Sequence, residues 1–121
     1  MQIRMAGIDH SKAGVEVREK FSFTRGAAEE AMKWAREQGA EGAVILSTCN
    51  RTELWVSGQE KDPLALLCAW KKAEVSRWSP LFICREGEEA VRHLLKTACG
   101  MNSRLFGEDQ IITQVREAGE L

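Results

Sequence analysis

The order of apolar patterns along the chain predicts an α+β fold: a ferredoxin-like, split βαβ sandwich, a sheet with helices on one face, followed by two additional C-terminal helices. Three observations carry this. Four short runs, Gln2 to Ile8, Ala43 to Ser47, Glu53 to Ser57 and Leu81 to Cys84, have the length and apolar character of strands. A helical pattern separates the first run from the second and another separates the third from the fourth, which is the split βαβ order. Two more helical patterns follow the last strand.

Each element has a local reason. The first strand ends at Asp9-His10-Ser11, whose side chains hydrogen-bond locally and start a turn. Val15 to Phe21 reads as a short mixed segment. Thr24 is suited to cap a helix in which Ala28, Ala31, Met32 and Ala35 recur at helical spacing until Gln38-Gly39 stops it. Ala43 to Ser47 is nearly all apolar and so covered on both sides, whereas Glu53 to Ser57 alternates, Leu54 and Val56 on one face and Trp55 on the other. A six-residue turn joins these two strands as a hairpin. Asp62-Pro63 opens the next helix, a capping carboxylate before a proline in the first turn, with Leu64, Leu67, Cys68 and Val75 marking one face. Leu81 to Cys84 follows Ser79-Pro80 as the fourth strand, and Cys68 and Cys84 read as core filler. Glu88 to about Cys99 then carries a stripe of Ala90, Val91, Leu94, Leu95 and Ala98, and Glu108 to about Gly119 carries Ile111, Ile112 and Val115.

A length of 121 residues fits one domain with one core. Leu121 falls within an unfinished helical pattern, which suggests truncation. With 17 basic and 18 acidic residues the formal charge is −1, so the total charge gives no ground for sequence-independent nucleic-acid binding. Local clusters, Lys71-Lys72 and Arg92 with Lys96, read as solvated helix faces. The cysteines at 49, 68, 84 and 99 form no Cys-x-x-Cys pair, the two histidines add no ligand spacing, and no metal site is expected. Neither a signal peptide nor a membrane-length apolar run is present, so no membrane contact is expected and the chain reads as cytoplasmic with reduced thiols.

The chemistry concentrates between the second and third strands. Ile45 to Val56 sets a thiol, two hydroxyls, an amide, a guanidinium and a carboxylate between two apolar runs. A turn held at both ends presents Cys49 with little positional freedom, as a nucleophile requires, and Arg51 lies two residues on. The alternative is that Cys49 is a small core residue and Arg51 a surface charge. Likewise His93, beside the apolar stripe of its helix, is either a boundary residue or an acid–base group.

Ser47-Thr48-Cys49-Asn50-Arg51-Thr52-Glu53 after an apolar strand closely resembles the active-site signature of the glutamyl-tRNA reductase family, the first committed enzymes of tetrapyrrole (porphyrin) synthesis from glutamate. Gly7-Ile8-Asp9-His10 with Val17-Arg18-Glu19-Lys20-Phe21 is similar to the family's amino-terminal motif. The run His93, Leu94, Gly100, Ser103, Gly107-Glu108, Gln110 and Gln114-Val115 is similar to the end of its catalytic domain. The resemblance spans nearly the whole chain. It implies that residues 1–121 form a single catalytic domain, that the NADPH-binding and dimerisation domains of this homodimeric oxidoreductase family are absent, and that Cys49 and His93 are catalytic. Thr48, Arg51, Ser103, Glu108 and Gln110 are implied to bind the glutamyl group of glutamyl-tRNA, with a thioester intermediate on Cys49. Glutamate-1-semialdehyde aminotransferase is a candidate partner.

NADPH is not expected to bind this chain, which has no Gly-x-Gly-x-x-Gly after a strand; the hydride step is therefore expected to fail in it alone. The chain departs from the family at Lys12-Ala13-Gly14, where Thr-Ala-Pro is usual, at Met101-Asn102, where Leu-Asp is usual, and at Asp109, where proline is common. A non-catalytic interaction or regulatory module keeping the fold is the alternative reading, distinguished by an unreactive Cys49. A family role for His10 is not assigned, and it suits a turn cap.

Overall fold

The computed structural model describes residues 3–58 and 62–93. Strands β1 (Ile3–Asp9), β2 (Gly42–Ser47), β3 (Arg51–Ser57) and β4 (Ile83–Glu86) form one antiparallel sheet in the order β2-β3-β1-β4. Helices α1 (Val15–Phe21) and α2 (Arg25–Glu37) lie between β1 and β2. Helices α3 (Pro63–Lys71) and α4 (Val75–Trp78), with a 3₁₀ turn at Ser79–Leu81, lie between β3 and β4. Because β1 and β2 both run antiparallel to β3, they are parallel to each other with β3 inserted between them. Among the described residues no helix is long and apolar enough to cross a membrane.

The expected helix on Thr24 is present: its hydroxyl accepts from the Ala27 N–H, and Ala28, Ala31 and Ala35 are buried. Small side chains on that face let α2 lie close to β2. The helix on Asp62-Pro63 is present too, the Asp62 carboxylate accepting from Leu64 N–H. One core cluster joins these helices to Ala6, Ile8, Ala43, Ile45, Leu54 and Val56 on one face of the sheet.

Several readings change. Val15–Phe21 is a helix rather than a mixed segment. Its β-branched residues argue against one locally, but Val17 and Phe21, four apart, share one face and pack into the core. Phe21 is fully buried, edge-on to Trp78 and Phe82 with ring centroids 5.5 and 5.0 Å away. Val75 is not on α3, which stops at Lys71 with Lys72 in the left-handed region (φ 56°). Further helix would have carried the apolar stripe of Cys68 onto Lys71 and Lys72, so the chain turns there.

The fourth strand is Ile83–Glu86, because Pro80 seeds the 3₁₀ turn and leaves Phe82 as a buried cap. As a sheet-edge strand it alternates with solvent, so Cys84 is exposed rather than filler, while Cys68 is fully buried. Finally, Lys71 is no solvated charge: its ammonium donates to the Ser22 carbonyl and lies 4.1 Å from the Phe23 ring centroid, and burial, then Lys20, lowers its pKa.

The second face of the sheet is covered as well, not only the first. Ile3, Met5, Val44, Leu46 and Trp55 cluster there with Ala90, and Val91 packs against them, both from the helical residues 88–93. Of the expected stripe, Leu94, Leu95 and Ala98 lie outside the described residues, as does the helix expected at 108–119. With both faces covered, β3 is buried at every position after Arg51.

Two buried hydroxyls fasten the hairpin end of the sheet to the helical layer. Ser47 Oγ accepts from Phe23 N–H at 2.9 Å and lies 3.2 Å from Thr52 Oγ1. Ser47→Ala orphans a buried amide, so unfolding free energy should drop by about 1–3 kcal/mol. A urea titration with an unchanged midpoint would show that Phe23 N–H finds another acceptor.

Candidate active site

The link between β2 and β3 is shorter than expected, only Thr48–Asn50, because pairing continues to Ser47↔Thr52. Thr48 N–H donates to the Arg51 carbonyl at 2.8 Å, and the Thr48 hydroxyl accepts from Asn50 N–H at 3.1 Å and from Arg51 N–H at 3.3 Å. Such threonine turns satisfy donors that the strands leave open. Two neighbours hold the turn from outside. His10 N–H donates to the Asn50 carbonyl at 3.0 Å, so His10 meets the turn by its backbone and is itself exposed. Arg18 on α1 donates from Nε to the Cys49 carbonyl at 3.3 Å and from Nη1 to the Ala13 carbonyl at 2.7 Å. Cys49, in the middle of this clamp, is exposed.

Beyond the turn, period two decides where side chains go. Thr52, Leu54 and Val56 face the helical layer; Arg51, Glu53 and Trp55 share the second face. Arg51 is paired in register with Asp9, whose carboxyl sits below its ordinary pKa. Burial opposes that charge, but two Ser11 hydrogen bonds and the charges of Arg51 and His10 outweigh it.

Glu53 is buried, and its Oε2 lies 2.7 Å from His93 Nε2. The imidazole also stacks over Trp55, centroids 6.1 Å apart and planes 23° from parallel. Gly7, opposite Glu53 in register, makes room for this: a Cβ there would meet Glu53 Cγ at 2.7 Å. Among the described residues Arg51 Nε, Glu53 Oε1 and Trp55 Nε1 are buried without a hydrogen-bond partner. Native proteins keep few such atoms, and three on one strand face mark a surface built for more than stability.

Of the predicted site residues, Thr48, Cys49 and Arg51 share one turn, and His93 lies over the sheet face that Arg51 begins. Positions 51 and 53 of a strand are about 7 Å apart. Ser103, Glu108 and Gln110 lie outside the described residues. Arg18 and Glu53 belong to the site's geometry, although no role was expected for either. Their signals were a carboxylate inside a covered strand opposite a glycine and an arginine on a segment that did not read as a helix. Together these groups offer an exposed thiol, an imidazole backed by a carboxylate, and a guanidinium with unused donor capacity. That set suits transfer of an acyl group to sulfur.

A family model described as the N-terminal domain of glutamyl-tRNA(Glu) reductase matches residues 6–121. The glutamyl-tRNA reductase of Acetivibrio thermocellus is 44% identical over 125 residues, covering 100% of this chain and 38% of that protein. A probable multifunctional siroheme biosynthesis protein of Ruminiclostridium josui is 37% identical, covering 100% of this chain and 24% of its own length. The solved glutamyl-tRNA reductase from Methanopyrus kandleri superposes with a TM-score of 0.56 at 31% identity, over 98% of this chain and 27% of that one. The chain thus spans well under half the length of these relatives.

Gly7→Ala should drive the new methyl into Glu53 Cγ and destabilise the fold by about 1–3 kcal/mol. Gly26→Ala, whose Cβ meets nothing within 4 Å on α2, should stabilise it by about 0.4–1 kcal/mol. Equal thermal midpoints for the two variants would show that the β1–β3 face has slack.

Proposed function

Since the chain belongs to the family of glutamyl-tRNA reductase N-terminal domains, we propose that Cys49 is the nucleophile that takes the glutamyl group from glutamyl-tRNA. The observation that carries this reading is the clamped, exposed Cys49 turn, continuous with the sheet face that holds Arg51 and His93. The step balances without an external reagent. The thiol proton passes to the His93 imidazole, sulfur bonds to the ester carbonyl carbon, and the ester C–O bond breaks. The departing ribose oxygen of tRNA takes the proton back. The product is a glutamyl thioester on Cys49.

Arg51 is assigned to the substrate carboxylate. Its planar fork carries five N–H donors, and Nε is buried without a partner among the described residues. The Thr48 hydroxyl already accepts from two turn amides and retains its own proton to donate, and Ser103, Glu108 and Gln110 remain assigned to the glutamyl group. The strand order supports reading the domain as a ferredoxin-like split βαβ sandwich, with Cys49 at the sheet rim where a bulky tRNA can reach it.

Reduction of the thioester is a separate matter. The link from β1 to α1, residues 10–14, holds the single glycine Gly14, and α1 is two turns long. It does not fit the glycine-rich cradle on which a dinucleotide pyrophosphate sits, and we derive no hydride step from this chain. In the longer relatives, reduction by NADPH would give glutamate-1-semialdehyde for tetrapyrrole synthesis. This chain alone would lose its thioester to water, acting as a slow esterase.

Mass spectrometry after exposure to glutamyl-tRNA should find a glutamyl adduct on Cys49, absent in Cys49→Ser. A chain that stays unmodified, or an adduct on Cys84, would sink the assignment and favour a binding module. In Arg51→Ala, preference for glutamyl-tRNA over other charged tRNAs should fall by about 2–5 kcal/mol, the cost of leaving a buried carboxylate unpaired. Unchanged preference would remove Arg51 from substrate recognition.

A further inference from the structure

We infer that Glu53 is a positioning residue that fixes His93 as its Nε2–H tautomer, leaving Nδ1 as the ring nitrogen that takes the proton of Cys49. The catalytic half of this statement rests on the function proposed above; the tautomer stands on geometry alone. An ionised carboxylate only accepts, so a neutral imidazole 2.7 Å from Glu53 Oε2 must carry its proton on Nε2. Stacking on Trp55 holds the ring plane, and no described residue hydrogen-bonds Nδ1.

The surroundings are arranged around the carboxylate rather than merely tolerating it. Gly7 leaves room for the Glu53 side chain, which is only 6% exposed. Its Oε1 has no partner among the described residues, an arrangement that an apolar residue would better on stability grounds alone. When Nδ1 receives the thiol proton, the ring gains a positive charge beside the Glu53 carboxylate that accepts from its Nε2–H. The same proton then leaves for the ribose oxygen.

Long-range proton–nitrogen NMR spectra of the nitrogen-15-labelled chain, near pH 8 where an ordinary imidazole is neutral, read the tautomer directly. His10→Asn removes the only other histidine and assigns the signals. His93 should show the Nε2–H pattern, and Glu53→Gln, whose amide can donate or accept, should give a mixture. An Nδ1–H pattern, a doubly protonated ring, or a pattern indifferent to Glu53→Gln overturns the inference.

Single-turnover acylation of Cys49 should slow ~100-fold in Glu53→Gln and recover in part in Glu53→Asp, with the pH dependence displaced in the first and not the second. An unchanged rate and pH profile in Glu53→Gln also overturns it. Should the unsubstituted chain acylate no cysteine while the Nε2–H pattern holds, the proposed function fails and the tautomer assignment stands.

Discussion

Burial of β3 on both faces is the constraint from which the rest of the molecule follows. A strand between two neighbours has every backbone donor and acceptor committed, and one packed above and below has no freedom to slip register. A slip of one residue would send Arg51, Glu53 and Trp55 into the hydrocarbon layer under α2 and α3 and lift Leu54 and Val56 out of it. The penalty for exchanging a buried carboxylate with leucine is several kcal/mol. Register is therefore set by chemistry that differs sharply between odd and even positions, and the groups proposed to act on substrate are the same ones that set it.

The hairpin turn inherits this rigidity. Its two flanking residues are paired, its own hydroxyl satisfies two of its amides, and its carbonyls are held by His10 N–H and the Arg18 guanidinium. α1, β1 and the hairpin thus meet at one point. Much of the benefit of an intramolecular nucleophile is entropy removed in advance, so the restraints on this turn favour the nucleophile role proposed for its thiol.

The fold was legible where one signal dominated. Thr24 and Asp62-Pro63 announced their helices because capping chemistry is local, and the alternation of Leu54, Trp55 and Val56 announced which side chains of β3 share a face. It was not legible where tertiary packing overrides local preference. Val15 and Val17 argue against a helix until Phe21 has a core to enter, and Cys84 reads as apolar filler until β4 is known to be the sheet's outer strand. The same divide runs through the candidate site. Cys49 and Arg51 were visible because they lie together in sequence, but the partnership of Glu53 with His93 spans 40 residues and needs Gly7, on a third segment, to exist.

That partnership also bears on why thiol and imidazole are placed so differently. A proposed nucleophile that must reach an ester at the end of a large nucleic acid has to sit at the rim, and Cys49 does. A proposed acid–base pair works best where its hydrogen bond is not shared with water, since a low dielectric strengthens it, and Glu53 is buried on the sheet face against which Ala90 packs. A single strand resolves the conflict: β3 starts at a solvent-facing turn and is dry two residues later, so one element supplies both environments within about 7 Å. The buried Glu53 oxygen that has no partner among the described residues is then a local cost that a purely structural sheet would have no reason to carry.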